Sequence, residues 1–308
     1  MNRTVVGFAL TEEISMVAKE MPVDSQKVLV DEMRESVAGS PITIARTLAV
    51  LGMPAHILGV VGKDGGAPKF EMALNEWRIS HHLFPLRDRT PKAFCVINGG
   101  GESKIYSHRG PLVLDGQEST VLEEIRQVVN QQVVGCVVAT SIRPEDCRLA
   151  EVLFASAPEG TLRVLNPNLH LIRQPEEFRE LCTHTQLLIV NRAEAAAILQ
   201  KSSVGPAEWL VDDLLRLRFA PEVIVTCGGG GSTYGNVEGE KLYQPVPKVK
   251  VVDTTGAGHA YLAGLVAGRL KGYSNQESMR LAAAVAAAKI THLGGYNPPT
   301  SEEVRAYF

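Results

Sequence analysis

Several familiar chemistries are missing from this sequence. No two of the five cysteines, at 95, 136, 147, 182 and 227, form a CxxC pair, and their number is odd. Most lie beside apolar runs such as FCVI and GCVV, so buried free thiols in a reducing compartment are expected rather than disulfides. The eight histidines show neither HxxxH nor HExxH spacing, which argues against a zinc site. No stretch approaches the roughly 20 apolar residues of a membrane span. The longest candidate, LAAAVAAAKI at 281–290, is short and rich in alanine. The first residues carry Glu12 and Glu13 rather than a basic and then apolar leader, so a cytoplasmic protein is expected. Neither charge sign dominates. Lys plus Arg is 31 against 34 for Asp plus Glu, a net charge of −3, which gives no general attraction to nucleic acid or to an anionic membrane. The phosphate fingerprints GxxxxGK[ST] and strand-borne GxGxxG are also missing, and GVVGKD at 59–64 has the wrong spacing for the first.

What remains is an ordinary globular composition: 308 residues, 45% hydrophobic and 21% charged. Short β-branched runs, GCVVAT (135–140), LRVLN (162–166), LLIVN (187–191) and VIVTC (223–227), are apolar throughout. Such runs suit strands buried on both faces of a parallel sheet. Helical spacing fills the gaps. Residues 206–218 place Trp209, Leu210, Leu214, Leu215 and Leu217 on one side, with Pro206 in a first turn. Residues 41–51 present Ile44, Leu48 and Leu51, and Gly52 is a candidate C-cap. Ser274 and Glu277 form a capping-box pattern before a helix expected over 278–293 and ended by Gly294. This alternation predicts a layered α/β domain. Two segments, 12–38 and 90–110, are more polar and break the rhythm. In the second, CVINGGGESKIYS reads as a hairpin turning at the glycines 99–101. The whole chain, 1–308, reads as one α/β domain with a small β appendage.

The most informative string is VVDTTGAGHAYLAGLVAGRL at 251–270. A glycine turn enters what reads as an amphipathic helix, so backbone N–H groups and the positive helix end converge on an anion hole. As a bare pattern it is equally a tight strand-to-helix connection. The glycines 228–231 after VIVTC admit a ligand close to the backbone, or form a plain loop.

Taken in order, AGSPITIARTLAVLG (38–52), GVVGKDGGAPKF (59–70), NRAEA (191–195), VTCGGGGS (225–232) and DTTGAGH (253–259) resemble the motifs of the ribokinase/PfkB carbohydrate-kinase family over nearly the whole chain. The resemblance implies a ribokinase-like, three-layer, Rossmann-like α/β sandwich with a small β-sheet lid from about 12–38 and 90–110. It implies ATP and Mg2+, and in many members K+. It also implies a small sugar-like substrate and a homodimer formed through the lid. Carried over by position, Gly256, Ala257 and Gly258 would form the anion hole. Asn191 and Glu194 would organise Mg2+ and phosphates, and Thr226, Gly228 and Gly231 would line the nucleotide. Asp253 and the Thr255 carbonyl would hold the monovalent cation.

The departures fall on the acceptor side. His259 stands where the family places its catalytic Asp. Glu12 stands for the early sugar-binding Asp, Ala38-Gly39 for the Gly-Gly pair, and Thr43 for a sugar-contacting Asn. Asn166-Pro167-Asn168-Leu169-His170 replaces Asp-Pro-Asn-x-Arg, with Asn168 retained. Ala283 falls where an Asn often lies near adenine. Two readings stay open: a carbohydrate kinase using His259, and a nucleotide- or metabolite-binding regulator that turns over little.

Overall fold

The computed structural model describes residues 2–19, 27–98, 103–113, 116, 118–295 and 297–308. The glycine turn expected at 99–101 lies outside them. The strands are β1 (Arg3–Ala9), β2 (Thr11–Ala18), β3 (Val30–Ala38), β4 (Ala55–Gly62), β5 (Ser80–Arg87), β6 (Lys92–Asn98), β7 (Ser103–His108), β8 (Val134–Thr140), β9 (Leu162–Asn166), β10 (Leu187–Asn191), β11 (Glu222–Thr226), β12 (Ser232–Asn236) and β13 (Lys241–Gln244). The helices are α1 (Ser40–Val50), α2 (Ala67–Glu76), α3 (Glu118–Asn130), α4 (Cys147–Ser156), α5 (Leu169–Ile172), α6 (Pro175–Thr183), α7 (Arg192–Ile198), α8 (Ala207–Arg216), α9 (Ala257–Leu270), α10 (Asn275–Lys289) and α11 (Ser301–Tyr307).

Nine strands form the main sheet in the order β13-β12-β11-β10-β9-β8-β1-β4-β5. It is parallel from β11 to β5, and β12 and β13 add an antiparallel edge. The unbroken apolar runs follow from burial on two faces. Val5, Val137, Ala139, Leu188, Val190, Val223 and Val225 enter one core with α3, α4, α6 and α8. Their neighbours Val6, Cys136, Val138, Leu187, Ile189 and Ile224 enter the other with α1, α9 and α10. Successive strand side chains point to opposite faces, so both parities must be apolar. The result is helix, sheet, helix.

A second sheet, in the order β3-β2-β6-β7, stands apart from the first. Its burial alternates, with Ala93, Cys95 and Ile97 inside β6 and Phe94 outside. Four of the five free cysteines are buried, and Cys227 is half-buried. Among the described residues no helix is long and apolar enough to cross a membrane.

Four helical expectations are corrected. In α8 the buried face is Ala207, Leu210, Val211 and Leu214, while Trp209 and Leu217 are exposed, and Pro206 is the N-cap rather than part of the first turn. Helix α9 is buried all round from Ala260 to Gly268, so it is not amphipathic. The Ser274–Glu277 capping box is present, but α10 starts directly after Ser274. It ends at Lys289, and Gly294 lies beyond it, giving its N–H to Asp253 instead.

Candidate functional site

The turn before α9 is fixed by three devices. Gly256 is its N-cap at φ 81, a left-handed conformation natural to glycine. A Cβ there would lie 2.6 Å from the Gly295 carbonyl oxygen, so two backbone segments meet without a side chain between them. The buried Asp253 carboxylate accepts the N–H of Thr255 at 2.8 Å and of Gly294 at 2.8 Å. The Ala257 N–H donates to the Thr254 carbonyl at 3.1 Å, which removes it from the expected anion hole. Among the described residues, the N–H groups of Gly256, Gly258 and His259 make no such backbone bond. Gly258 fronts open space. The open donors at the positive helix end are therefore shifted toward Gly258 and His259.

This turn closes one end of a cleft of about 610 Å³. Thr254, Ala257 and Gly258 line that end, and Thr226, Gly228 and Gly231 line another part. The rest of the lining is largely apolar, including Ala283 and Ala287 from α10 and Val249. Small alanines on α10 leave width for a flat ring.

Asn191 and Glu194 have a local structural use. The Asn191 side chain accepts the Glu194 N–H at 2.9 Å, and the Glu194 carboxylate accepts the Asn191 N–H at 2.9 Å. The Asn-x-x-Glu pattern is thus also the capping box of α7. Burial pushes the Glu194 carboxyl up to about 6, against its two bonds to Asn191.

His259 is half-buried, the third residue of α9. Burial, and after it the charge of Arg109, pushes its imidazole down to about 4, so it is neutral at pH 7. Arg109 leads to residues the sequence did not single out. Its guanidinium donates to the Ser141 carbonyl at 2.8 Å, and burial and the Arg143 charge lower its own pKa to about 10. Fully buried Arg87 donates to the Asp146 carboxylate at 2.6 Å and to the Gly110 carbonyl at 2.8 Å. The Nε of Arg143 is buried and unpartnered. Asp146 and, at 3.6 Å, Glu145 lie against Arg87, so three arginines meet two carboxylates, which leaves one positive charge in surplus, and it is the Arg109 charge that acts on His259. These arginines sit singly on β5 and in two loops, without a motif.

Glu12 requires a correction. It lies on the other side of β2, against Lys69 at 3.2 Å and Lys92 at 3.4 Å. Its neighbour Glu13 is buried, accepts from Ser15 at 2.7 Å, and feels the charges of Asp253 and Lys289. A one-residue step along a strand exchanges faces, and composition alone does not choose between consecutive glutamates. Thr43 is buried in α1 and donates to the Gly295 carbonyl at 3.2 Å. Gly39, at φ 124, caps α1, and a Cβ there would meet the Ala9 carbonyl oxygen at 2.6 Å. Asn168 caps α5, accepting from His170 at 2.9 Å and Leu171 at 3.1 Å, while His170 itself is exposed.

The family described as pfkB family carbohydrate kinase matches residues 4–302. A 1-phosphofructokinase of Escherichia coli (strain K12) is 24% identical over 305 residues, covering 94% of this chain and 92% of that protein. Among solved structures, the ribokinase from Giardia lamblia aligns with a TM-score of 0.83 at 19% identity, over 100% of this chain and 99% of that one. The phosphofructokinase-2 from Escherichia coli, solved in complex with substrates and products, aligns with a TM-score of 0.79 at 16% identity, over 100% and 98%.

Proposed function

The chain belongs to the pfkB family of carbohydrate kinases, and from that premise we propose that it transfers the terminal phosphoryl group of ATP to a hydroxyl of an anionic sugar, with neutral His259 receiving the hydroxyl proton. The observation that carries this reading is the end of the cleft. Open N–H groups at Gly258 and His259 meet a neutral imidazole, with the surplus arginine charge of Arg109 beside it.

A nucleotide lying along the alanine wall of α10 brings its terminal phosphate to Gly258. Charge growing on the transferring oxygens is met by the Gly258 and His259 N–H groups. A sugar hydroxyl within reach of the imidazole loses its proton to the ring as the oxygen attacks phosphorus, and ADP leaves. Bound Mg2+ would supply neutralisation of the phosphate charge. It needs only one or two carboxylates, and Glu194 beside Asn191 fits that role. Among the described residues no group of three ligating side chains is built for a metal. Arg109 and Arg143 supply charge-assisted donors to a phosphate or carboxylate on the acceptor. The small sheet acts as lid over the acceptor. Its outer face, with Phe94, Tyr106 and Met33 exposed, pairs with the same face of a second copy.

A nucleotide-binding regulator is the second reading. It is favoured by the acceptor positions that have other work: Glu12 on two lysines, Thr43 on Gly295 and Asn168 in a cap.

ADP release from ATP-Mg across sugars, sugar phosphates and nucleosides tests both. We expect calorimetric ATP-Mg binding and turnover with a phosphorylated or acidic sugar, with ribose and fructose poor. Arg109→Ala raises KM for that acceptor about tenfold or more, the scale of a lost charged hydrogen bond. His259→Asp raises turnover if the pocket is otherwise sound. Loss of activity in that variant identifies the imidazole as this protein's own base. ATP binding with silence from every acceptor selects the regulator, and no ATP binding removes both readings.

A further inference from the structure

Beside the cradle for which the family resemblance implies K+, the chain buries a cation of its own, within the electrostatic reach of Asp253. Asp253 and the segment after α10 are laced together. Val252 and Asp253 donate to the Ile290 carbonyl at 2.8 and 3.2 Å, and Gly294 returns an N–H to the Asp253 carboxylate at 2.8 Å. Into this region the last residue of α10 sends a lysine. Lys289 is fully buried, and its Nζ has no hydrogen-bond partner. The charges acting on it are those of Asp253 and, from the underside of the small sheet, Glu13. Lysine is seldom buried without partners, because desolvating an ammonium is costly. A second positive ion placed beside the ammonium would be repelled by it in so dry a setting, and burial pushes the Glu13 carboxyl up, which lessens the negative charge left to attract one. The residues therefore do not fit K+, which corrects the expectation for Asp253 and Thr255.

We propose that the Lys289 ammonium is the built-in counter-cation of this cradle, balancing Asp253 and Glu13 and steadying the 253–256 turn, so that the protein needs no monovalent metal ion. The nucleotide part of this inference rests on the function proposed above; the stability part does not. The lysine is tethered at the end of α10 and cannot dissociate. The anion-hole turn is accordingly held in the same shape whatever salt surrounds it.

The test uses the full chain melted in KCl, NaCl and tetramethylammonium chloride at equal ionic strength, with ATP-Mg affinity measured in each. The unaltered protein is expected to melt at one temperature and to bind ATP-Mg equally in all three. Lys289→Met removes the charge at similar volume. That variant is expected to melt lower in tetramethylammonium and to gain at least about 3 °C, saturably, in KCl. A saturable potassium-specific rise in the unaltered protein overturns the proposal, as does a folded Lys289→Met variant with equal melting in all three salts. If Lys289→Met does not fold, Lys289→Arg takes its place. It keeps the charge and is expected to stay indifferent to salt, and a potassium response there overturns the proposal. Failure to bind ATP at all would refute the kinase reading, while the melting comparison would still decide this one.

Discussion

His259 carries an imidazole where the family resemblance implies a carboxylate, and its role as a base is testable by pH. The imidazole is held down to about 4, first by burial and then by the Arg109 charge. If it is the base, the acid limb of kcat/KM falls near pH 4 rather than near 6.5, and the profile stays flat between. A limb near 6.5 would remove His259 from that role. The same depression couples to stability, and buried His56 is likewise pushed down to about 4. The unfolded chain takes up these protons near 6.5 and the folded chain only near 4. Their contribution to stability is therefore whole above about 6.5 and is lost as pH falls toward 4. Gly256 gives a sharper residue-scale expectation. Its φ of 81 and the Gly295 oxygen 2.6 Å from any Cβ make Gly256→Ala doubly strained. It should cost about 1–3 kcal/mol in urea unfolding and weaken ATP-Mg binding as the turn shifts. His259 and the glycines were legible because a motif fixes their spacing. Glu13, Lys289 and Arg109 were not, because their roles come from contacts between distant segments. One signal was available for Lys289: a lone lysine in the alanine run LAAAVAAAKI.

At the scale of elements, the strands were legible and the helix faces less so. Strands β8 to β11 are buried on both sides, and uninterrupted apolar runs announce that directly. Helix α8 misled because Trp209, a large apolar residue, lies on the solvent side. Helix α9 misled because it is clasped by the sheet, α1 and α10, so no polar face remains. Its closeness to α10 has a sequence cause: a Cβ at Gly264 would sit 2.8 Å from the Ala282 Cα. The capping box that starts α10 was read correctly because it is local. Ser274→Ala, which loses the oxygen accepting the Glu277 N–H at 3.3 Å, should cost about 1 kcal/mol. Chemical denaturation measures it, and a change within error would mean the N-terminal turn of α10 does not rely on the cap.

Across the whole molecule, two sheets divide the work. The main sheet carries the cleft and the glycine turn before α9, and the small sheet brings Glu13 toward that turn, close enough for the Asp253 charge to act on it. The exposed cross-strand pair Phe94 and Tyr106 gives the outer face its apolar character. Tyr106→Glu is expected to turn a dimer into a monomer on size exclusion without unfolding it. An unaltered protein that elutes as a monomer at every concentration would remove the pairing. The chain passes between the small sheet and the main layers at 88–91, between β5 and β6, again after β7, and through two single residues, Leu10 between β1 and β2 and Gly39 between β3 and α1. The last two crossings touch, since a Cβ on Gly39 would come within 3.2 Å of the Leu10 Cα. If the small sheet closes over the cleft as proposed, these one-residue joints and the 88–91 connection must carry the swing. A catalytic cycle that must wait for that swing slows in proportion to the viscosity of the medium, a friction that bond-making in a fixed cleft does not feel.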